Sequence, residues 1–123
     1  EGKNAKAEKI IDLALAKMPL DYYGYYSLLD SFADGYYKLG KKQKAEELLS
    51  KIMNKYREEL IYYKGFKQNE MSFLRRDIQT AMYRYMSLIK VSKDNNDKNF
   101  ADKHEKEFES ISRGLERFAI DME

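Results

Sequence analysis

The sequence predicts an all-α fold of about five helices that pack as antiparallel hairpins. The 123-residue chain has a single proline and six glycines, and most of these lie between segments whose apolar residues recur every three to four positions. This spacing places apolar side chains on one side of an α-helix. The connections between the segments are short, which favours antiparallel packing of successive helices.

The predicted helices span residues 3–18, 22–39, 41–64, 70–93 and 98–120. Pro19 ends the first helix, and Asp21 is the candidate N-cap of the second. Gly40 follows the second helix as a left-handed C′ residue. Gly65 ends the third helix, and Asn69 is the candidate N-cap of the fourth.

Each predicted helix carries an apolar stripe that predicts its buried side. The stripes are Ile10, Ile11, Ala14 and Met18; Tyr25, Leu28, Leu29, Phe32, Ala33, Tyr36 and Leu39; Ala45, Leu48, Leu49, Ile52, Tyr56, Leu60 and Tyr63; Leu74, Ile78, Ala81, Met82, Tyr85, Met86, Leu88 and Ile89; and Phe100, His104, Phe108, Ile111, Leu115 and Phe118. Gly24 and Gly35 lie within the second helix, where glycine costs about 1 kcal/mol relative to alanine. We expect close approach of a neighbouring helix at these two positions.

Residues 2–18 and 40–56 are two copies of one helical unit, 38 positions apart. Gly2, Ala7, Ile11 and Ala14 in the first copy align with Gly40, Ala45, Leu49 and Ile52 in the second. Such self-similarity is typical of repeat proteins, whose units stack because one unit alone cannot bury its apolar face. A third copy at Asn96, Ala101, Glu105 and Phe108 is less regular, because a glutamate takes the aliphatic position. The chain opens within a repeat and is therefore expected to belong to a longer protein.

The repeated unit resembles the tetratricopeptide repeat, a helical hairpin of about 34 residues. Leu29, Phe32, Ala33 and Tyr36 match the family's first-helix positions, and Ala45, Leu49 and Ile52 match those of its second helix. The chain departs from the family in its 38-residue spacing, in Arg57 at the closing-proline position and in its long third helix. The resemblance implies one domain over 1–123, with repeat-like helices at 1–64 and divergent or capping helices at 70–120.

A second resemblance lies in the tyrosine-rich segment 17–26 together with Gly35-Tyr-Tyr-Lys-Leu-Gly and Lys44-Ala-Glu-Glu-Leu-Leu. This pattern is similar to bacterial multi-pass membrane proteins of unknown function that are related to protein O-mannosyltransferases of the glycosyltransferase-C type. The resemblance implies that the chain is their soluble C-terminal tail, on the extracytoplasmic side. The family's membrane core and its acidic catalytic residues would lie upstream, so none is assigned to this chain.

Composition excludes several kinds of site. The 23 basic and 21 acidic side chains give a net charge of +2, which offers no general attraction for nucleic acid or anionic lipid. The absence of cysteine excludes disulfides and thiolate metal sites. No nucleophile–base pair, phosphate-binding glycine loop or metal-ligand array is recognisable. We therefore predict no catalytic residue, no metal and no cofactor.

The best candidate binding residues lie on one side of the second helix. In repeat register Ser27, Asp30, Asp34, Tyr37 and Lys38 point toward the concave groove in which such proteins hold ligands. Paired carboxylates one helical turn apart can also act as acid and base when burial separates their pKa values. The simpler interpretation is a solvated polar face, because these residues lie beside the apolar stripe rather than in it.

Three other features have a structural and a functional interpretation. His104 and Glu107 have a spacing that suits two metal ligands, yet His104 lies in an apolar stripe, which favours a packed histidine. The tyrosine pairs 22–23, 25–26, 36–37 and 62–63 suit sugar or peptide recognition, but one member of each is expected in the core. The basic groups at 38–44 and 75–76 are interleaved with acidic residues, which favours a salt-bridged surface over a nucleic-acid site.

The sequence thus favours a non-catalytic module that binds a protein or peptide, with the membrane core of its own parent protein among the candidate partners. A stand-alone peptide-binding scaffold is the first alternative. A small enzyme or glycan-binding domain that uses Asp30, Asp34 and the tyrosines is the second.

Overall fold

A computed structural model describes residues 2–17 and 28–119, and 88% of these residues are helical with no strand among them. The helices are α1 (Gly2–Lys17), α2 (Leu28–Lys38), α3 (Lys42–Lys64), α4 (Gln68–Phe73), α5 (Arg75–Asp94), α6 (Lys98–Ser112) and α7 (Glu116–Ala119). Five of them are longer than seven residues, which confirms the all-α prediction of about five helices. Among these described helices, none is both long and apolar enough to cross a bilayer.

The boundaries of the first three predicted helices agree with the structure where it describes them. Gly40 has φ +74° after α2, and Gly65 is the C-cap of α3. The predicted roles of Pro19, Asp21 and Gly24, and the tyrosine pairs at 22–23 and 25–26, lie outside the described residues.

The prediction for the fourth helix is wrong about the residue at which the helix begins and about the helix being continuous. It begins at Gln68 with Lys67 as N-cap rather than Asn69, because the Glu70 carboxylate accepts a hydrogen bond from the Lys67 backbone N–H at 2.9 Å. Leu74 has φ −101° and ψ 10°, which separates α4 from α5.

The predicted fifth helix also divides. α6 ends at Ser112, and Gly114 has φ +91°, which breaks the helix before α7. The Gly114 backbone N–H donates to the Glu116 carboxylate at 2.8 Å. Leu115 and Phe118 are nevertheless fully buried, as their place in the apolar stripe predicts.

The turns after α2 and α5 have the same backbone geometry. Gly40 has φ +74° and Asn96 has φ +62°, and each follows its helix as a left-handed residue. The backbone hydrogen bonds run from Lys41 to Tyr36 and from Gly40 to Tyr37 in the first turn, and from Asp97 to Ser92 and from Asn96 to Lys93 in the second. These bonds form a Schellman motif in both turns.

The helices touch in a regular order around one continuous core. α3 packs against α2, α5 and α6, while α5 packs against α2, α3, α6 and α7. The central stripes are buried as predicted except at Met86, which is 41% exposed, and their fully enclosed members include Leu29, Ala33, Ala45, Leu49, Ile52, Leu60, Ile78, Tyr85 and Leu88. The short turns at 39–41 and 95–97 make α2–α3 and α5–α6 hairpins.

α1 packs on the first hairpin through one side only. A Cβ atom at Gly35 would lie 3.1 Å from Cδ1 of Ile11, so glycine permits the close approach expected there. Ile11 is buried, whereas Ile10 is 66% exposed and Leu13 also faces solvent. The prediction that Ile10 and Ile11 share a buried face is therefore wrong for Ile10.

Candidate binding face

The predicted binding residues on α2 face α5 and the turn between α5 and α6. Asp30, Asp34, Tyr37 and Lys38 recur at helical spacing and each contacts a residue in or next to α5. Ser27 lies outside the described residues. The structure thus gathers four of the five predicted residues along one inter-helix seam.

Asp30 forms an ion pair with Arg84 of α5. The two guanidinium nitrogens of Arg84 donate to the two Asp30 carboxylate oxygens at 3.1 and 2.8 Å, a bidentate geometry. Arg84 Nε also donates to the Tyr56 hydroxyl at 3.3 Å. The Asp30 side chain is only 20% exposed. The interpretation of this face as fully solvated is therefore wrong at Asp30.

Asp34 and Lys38 form the more open end of the seam. The Asn95 amide donates to Asp34 at 2.8 Å and accepts from the Lys38 ammonium at 3.0 Å. The Asp34 and Lys38 side chains are 45% and 64% exposed, and their own ion pair is long, at 3.7 Å. These two residues are thus the members of the predicted set that remain accessible.

Tyr37 belongs to a buried polar cluster that joins α2, α3 and α6. Its hydroxyl donates to Asp97 Oδ2 at 2.8 Å, and the Lys42 ammonium lies 3.6 Å from Asp97 Oδ1. Burial, followed by the hydrogen bond to Asp97, raises the pKa of the Tyr37 phenol.

Glu46 of α3 faces the same aspartate, and the two carboxyl groups have opposite pKa shifts. A hydrogen bond with Asp97, followed by burial, raises the pKa of Glu46. Burial alone would raise the pKa of Asp97, but hydrogen bonds from Glu46 and Tyr37 outweigh it and lower that pKa. Asp97 is only 3% exposed, so these two carboxyl groups lie between helices rather than on an open surface.

A second polar cluster joins α1 to the first hairpin. The Tyr36 hydroxyl donates to Asp12 at 2.5 Å, and the Lys44 ammonium lies 2.9 Å from Asp12 and 2.6 Å from Glu8. The hydrogen bond from Tyr36, and then that from Lys44, lowers the pKa of Asp12. The lysines at 38–44 therefore form a salt-bridged surface as predicted, although their partners lie on α1, α2 and the α6 N-cap rather than at Glu46 or Glu47.

His104 is packed, as its apolar stripe predicts. It is 7% exposed, and its ring centroid lies 4.2 Å from that of Phe100. Its Nδ1 lies 3.2 Å from a Glu107 carboxylate oxygen without hydrogen-bond alignment. Burial lowers the pKa of the imidazole, while the nearby Glu107 charge opposes this shift. Within residues 2–17 and 28–119, no group of three or more histidine or acidic side chains is arranged to hold a metal ion.

The described tyrosine pairs each have one more buried member, as predicted. Tyr36 is buried and Tyr37 half-buried, while Tyr63 is half-buried and Tyr62 exposed. Tyr62 packs edge-on against Phe66 with ring centroids 5.1 Å apart. Tyr36 and Tyr37 direct their hydroxyls to carboxylates within the chain.

Sequence reasoning did not identify Arg84, Asn95 or Asp97 as partners of the α2 face. Arg84 lies outside the apolar stripe of its predicted helix, and no sequence pattern pairs it with Asp30. Asn95 and Asp97 lie between the fourth and fifth predicted helices, and their side-chain contacts depend on how α2 lies against α5. Comparison of the chain with family models, curated proteins and solved structures finds no match.

Proposed function

We propose that this chain is a non-catalytic, tetratricopeptide-like repeat domain that binds a protein or peptide. The observation that carries the proposal is the order in which the helices touch. With the short α4 set aside, α2 packs against α3 and α5, α3 packs against α5 and α6, and α5 packs against α6. The long helices from α2 onward therefore contact their first and second neighbours along the chain. This is the packing that stacked helical hairpins produce, and such stacks present extended surfaces to partners.

The equivalent turns support the repeat assignment. Gly40 and Asn96 share a left-handed conformation and the same pair of backbone hydrogen bonds. Ala45 and Ala101, five residues after each turn, are both buried. Two hairpins with the same turn and the same small residue are the expected product of a repeated unit.

The contacts of Asp30 and Asp34 favour recognition over acid–base chemistry. Arg84 engages both carboxylate oxygens of Asp30, and Asn95 engages Asp34. An acid–base pair needs two groups whose pKa values are driven apart next to a substrate. The accessible pair Asp34 and Lys38 instead offers one charge of each sign, which suits a polar peptide backbone or side chain. The proposal includes no cofactor and no nucleic acid.

We further propose, from the sequence resemblance, that the domain belongs to the soluble C-terminal part of a bacterial glycosyltransferase-like membrane protein, on the extracytoplasmic side. Its partner would then be another protein or the parent's own membrane domain. Reading the gene upstream of Glu1 tests this assignment. About ten apolar segments of membrane-spanning length are expected there, and their absence would overturn it.

Site-specific photo-crosslinking tests the binding function. A photoreactive amino acid at Lys38, in the full-length protein expressed in its native cell, should join the domain to one defined polypeptide that mass spectrometry identifies. The same label at exposed Glu58 of α3 is the matched control. Equal labelling at both positions, or none at either, would contradict a binding site on the α2 face. Charge reversal at Asp34 is the companion variant, because reversal at Asp30 would also strand Arg84.

A further inference from the structure

A cavity of about 380 Å³ lies between α3 and α6, apart from the seam along α2. Its lining is mostly polar and includes residues of α3, α5 and α6. Tyr85 of α5 belongs to its enclosed part and is 1% exposed. Small-molecule sites occupy about 300–1,000 Å³. The cavity is therefore large enough for a small polar ligand.

Three basic side chains line this cavity. Arg57 and Lys51 come from α3, and Lys103 comes from α6. Arg57 and Lys103 are exposed, and within residues 2–17 and 28–119 neither forms a hydrogen bond or an ion pair. Lys51 also lines a neighbouring cavity that includes Asp12, so its charge is shared between two places. Unpaired cations on two facing helices attract an anion.

His104, the only histidine of the chain, belongs to the same lining. It is 7% exposed, and among the described residues neither imidazole nitrogen has a hydrogen-bond partner. A buried polar atom without a partner costs free energy, and a ligand that supplies the partner recovers it. An oxyanion accepts a hydrogen bond from an imidazole N–H. His104 and the basic side chains therefore indicate the same kind of ligand.

Glu107 is the one acidic residue among the described lining, and it does not neutralise the cations. Its carboxylate lies 3.2 Å from His104 Nδ1 and faces the Tyr85 hydroxyl. Burial, followed by the Glu107 charge, raises the pKa of Tyr85 to about 12, which keeps this hydroxyl protonated. Three positive charges less one negative charge leave a net charge of +2 around the cavity. A phosphate monoester carries about −1.5 to −2 at pH 7, which complements that charge.

We infer that the α3–α6 cavity binds a phosphate dianion, either inorganic phosphate or the phosphoryl group of a small phosphate monoester. The Arg57 guanidinium can donate two parallel hydrogen bonds to it, while Lys103 and Lys51 act as point charges. His104 supplies a further N–H from the buried side. The inference goes beyond the proposed interaction function, since it uses no residue of the α2 face.

NMR titration of this chain tests the inference, because the imidazole signals of a single histidine report on this cavity alone. Inorganic phosphate at constant ionic strength should shift these signals in a saturable way. Acetate should bind about tenfold more weakly, because it has fewer oxygens for charge-assisted hydrogen bonds. Tighter binding of phenyl phosphate would assign the monoester as ligand, and equal or weaker binding would assign inorganic phosphate. A shift that never saturates, or acetate that binds as tightly as phosphate, would overturn the inference.

Charge variants locate the bound anion. Arg57→Gln and Lys103→Gln, on different helices, should each weaken phosphate binding by about tenfold, the effect of one charge-assisted hydrogen bond. Arg76→Gln is the matched control, because Arg76 is an exposed arginine outside the cavity, and it should bind like the parent chain. Glu107→Gln removes the opposing charge and should tighten binding about fivefold. Equal losses in Arg57→Gln and Arg76→Gln, or no gain in Glu107→Gln, would contradict the site.

The titration of His104 gives an independent readout. Sulfate, which stays doubly charged across the relevant pH range, should move the midpoint of the imidazole titration to higher pH by about 1, because a nearby anion stabilises the imidazolium. Saturable sulfate binding with an unmoved midpoint would place the anion elsewhere and overturn the inference. None of these outcomes changes the crosslinking at Lys38, so the proposed binding function stands or fails separately.

Discussion

Replacing Asp30 with alanine is expected to destabilise the protein by about 2 kcal/mol, because the change strands the Arg84 guanidinium between helices. Breaking a fully buried ion pair costs about 3–5 kcal/mol, whereas an exposed pair contributes about 0–1 kcal/mol. The side chains of Asp30 and Arg84 are 20% and 16% exposed, which places the pair between these limits. Tyr56 still accepts one hydrogen bond from Arg84, so the cost stays below that of complete burial.

Chemical and thermal unfolding followed by circular dichroism measures this cost. An unfolding entropy of about 2.1 cal/mol/K per residue gives about 0.26 kcal/mol/K for 123 residues, so a loss of 2 kcal/mol lowers Tm by about 8 °C. Asp34→Ala, one helical turn away, is the matched control. Its side chain is 45% exposed and its lysine partner lies 3.7 Å away, so the expected loss is below about 1 kcal/mol.

A double-mutant cycle isolates the pair itself. Arg84→Met removes the guanidinium and leaves Asp30 without its main partner, while the double variant removes both charges. We expect the double variant to be more stable than the sum of the two single losses predicts, with a coupling energy above about 1 kcal/mol. A coupling energy within about 0.5 kcal/mol of zero would refute the view that this pair holds α2 against α5.

Four further variants test the packing, the turns and the carboxyl pair. Ala45→Leu should overfill the fully buried contact between α2 and α3 and cost about 1–3 kcal/mol, and an unchanged Tm would contradict the repeat register. Gly40→Ala should cost about 1–2 kcal/mol by forcing a Cβ atom into left-handed backbone, and Asn96→Ala should cost less because asparagine already carries a Cβ there; an unchanged Tm in Gly40→Ala would argue against this turn geometry. The pKa of Glu46 is raised, so its stabilising contribution is complete below pH 4.5 and is lost as pH rises through the native pKa. Glu46→Gln should remove this component from a series of urea titrations across pH, and an unchanged pH dependence would refute it.

The helices and the first turn were predictable because their signals are local. The role of Gly40 as the residue that ends a helix can be predicted from local sequence alone, because a position with positive φ at a helix end is most often glycine. The breaks at Leu74 and Gly114 were missed for a related reason. The apolar stripe continues through both positions, and Leu115 and Phe118 remain buried although their helix has ended and begun again. Periodicity reports which residues are buried and is insensitive to a short interruption of the helix.

The partners of the α2 face could not be predicted in the same way. Asp30 and Arg84 are 54 positions apart, and their contact exists only because α5 lies along α2. An aspartate beside an apolar stripe is ordinarily solvated. Only the arrangement of the helices turns this aspartate into part of a bidentate ion pair, so its environment follows from tertiary structure.

The arrangement of the helices also explains why the third repeat copy is irregular. Its turn at Asn96 and its alanine at 101 keep the geometry of the second copy, so the backbone unit is preserved. Leu49 of the second copy is fully buried, since α3 packs against α2, α5 and α6. Glu105 takes the corresponding position in α6, where it lines a cavity with Met86 and Phe108 and pairs with Lys93. A polar side chain is tolerated at this position, whereas α2, α5 and α6 pack around α3 and require an apolar side chain at Leu49.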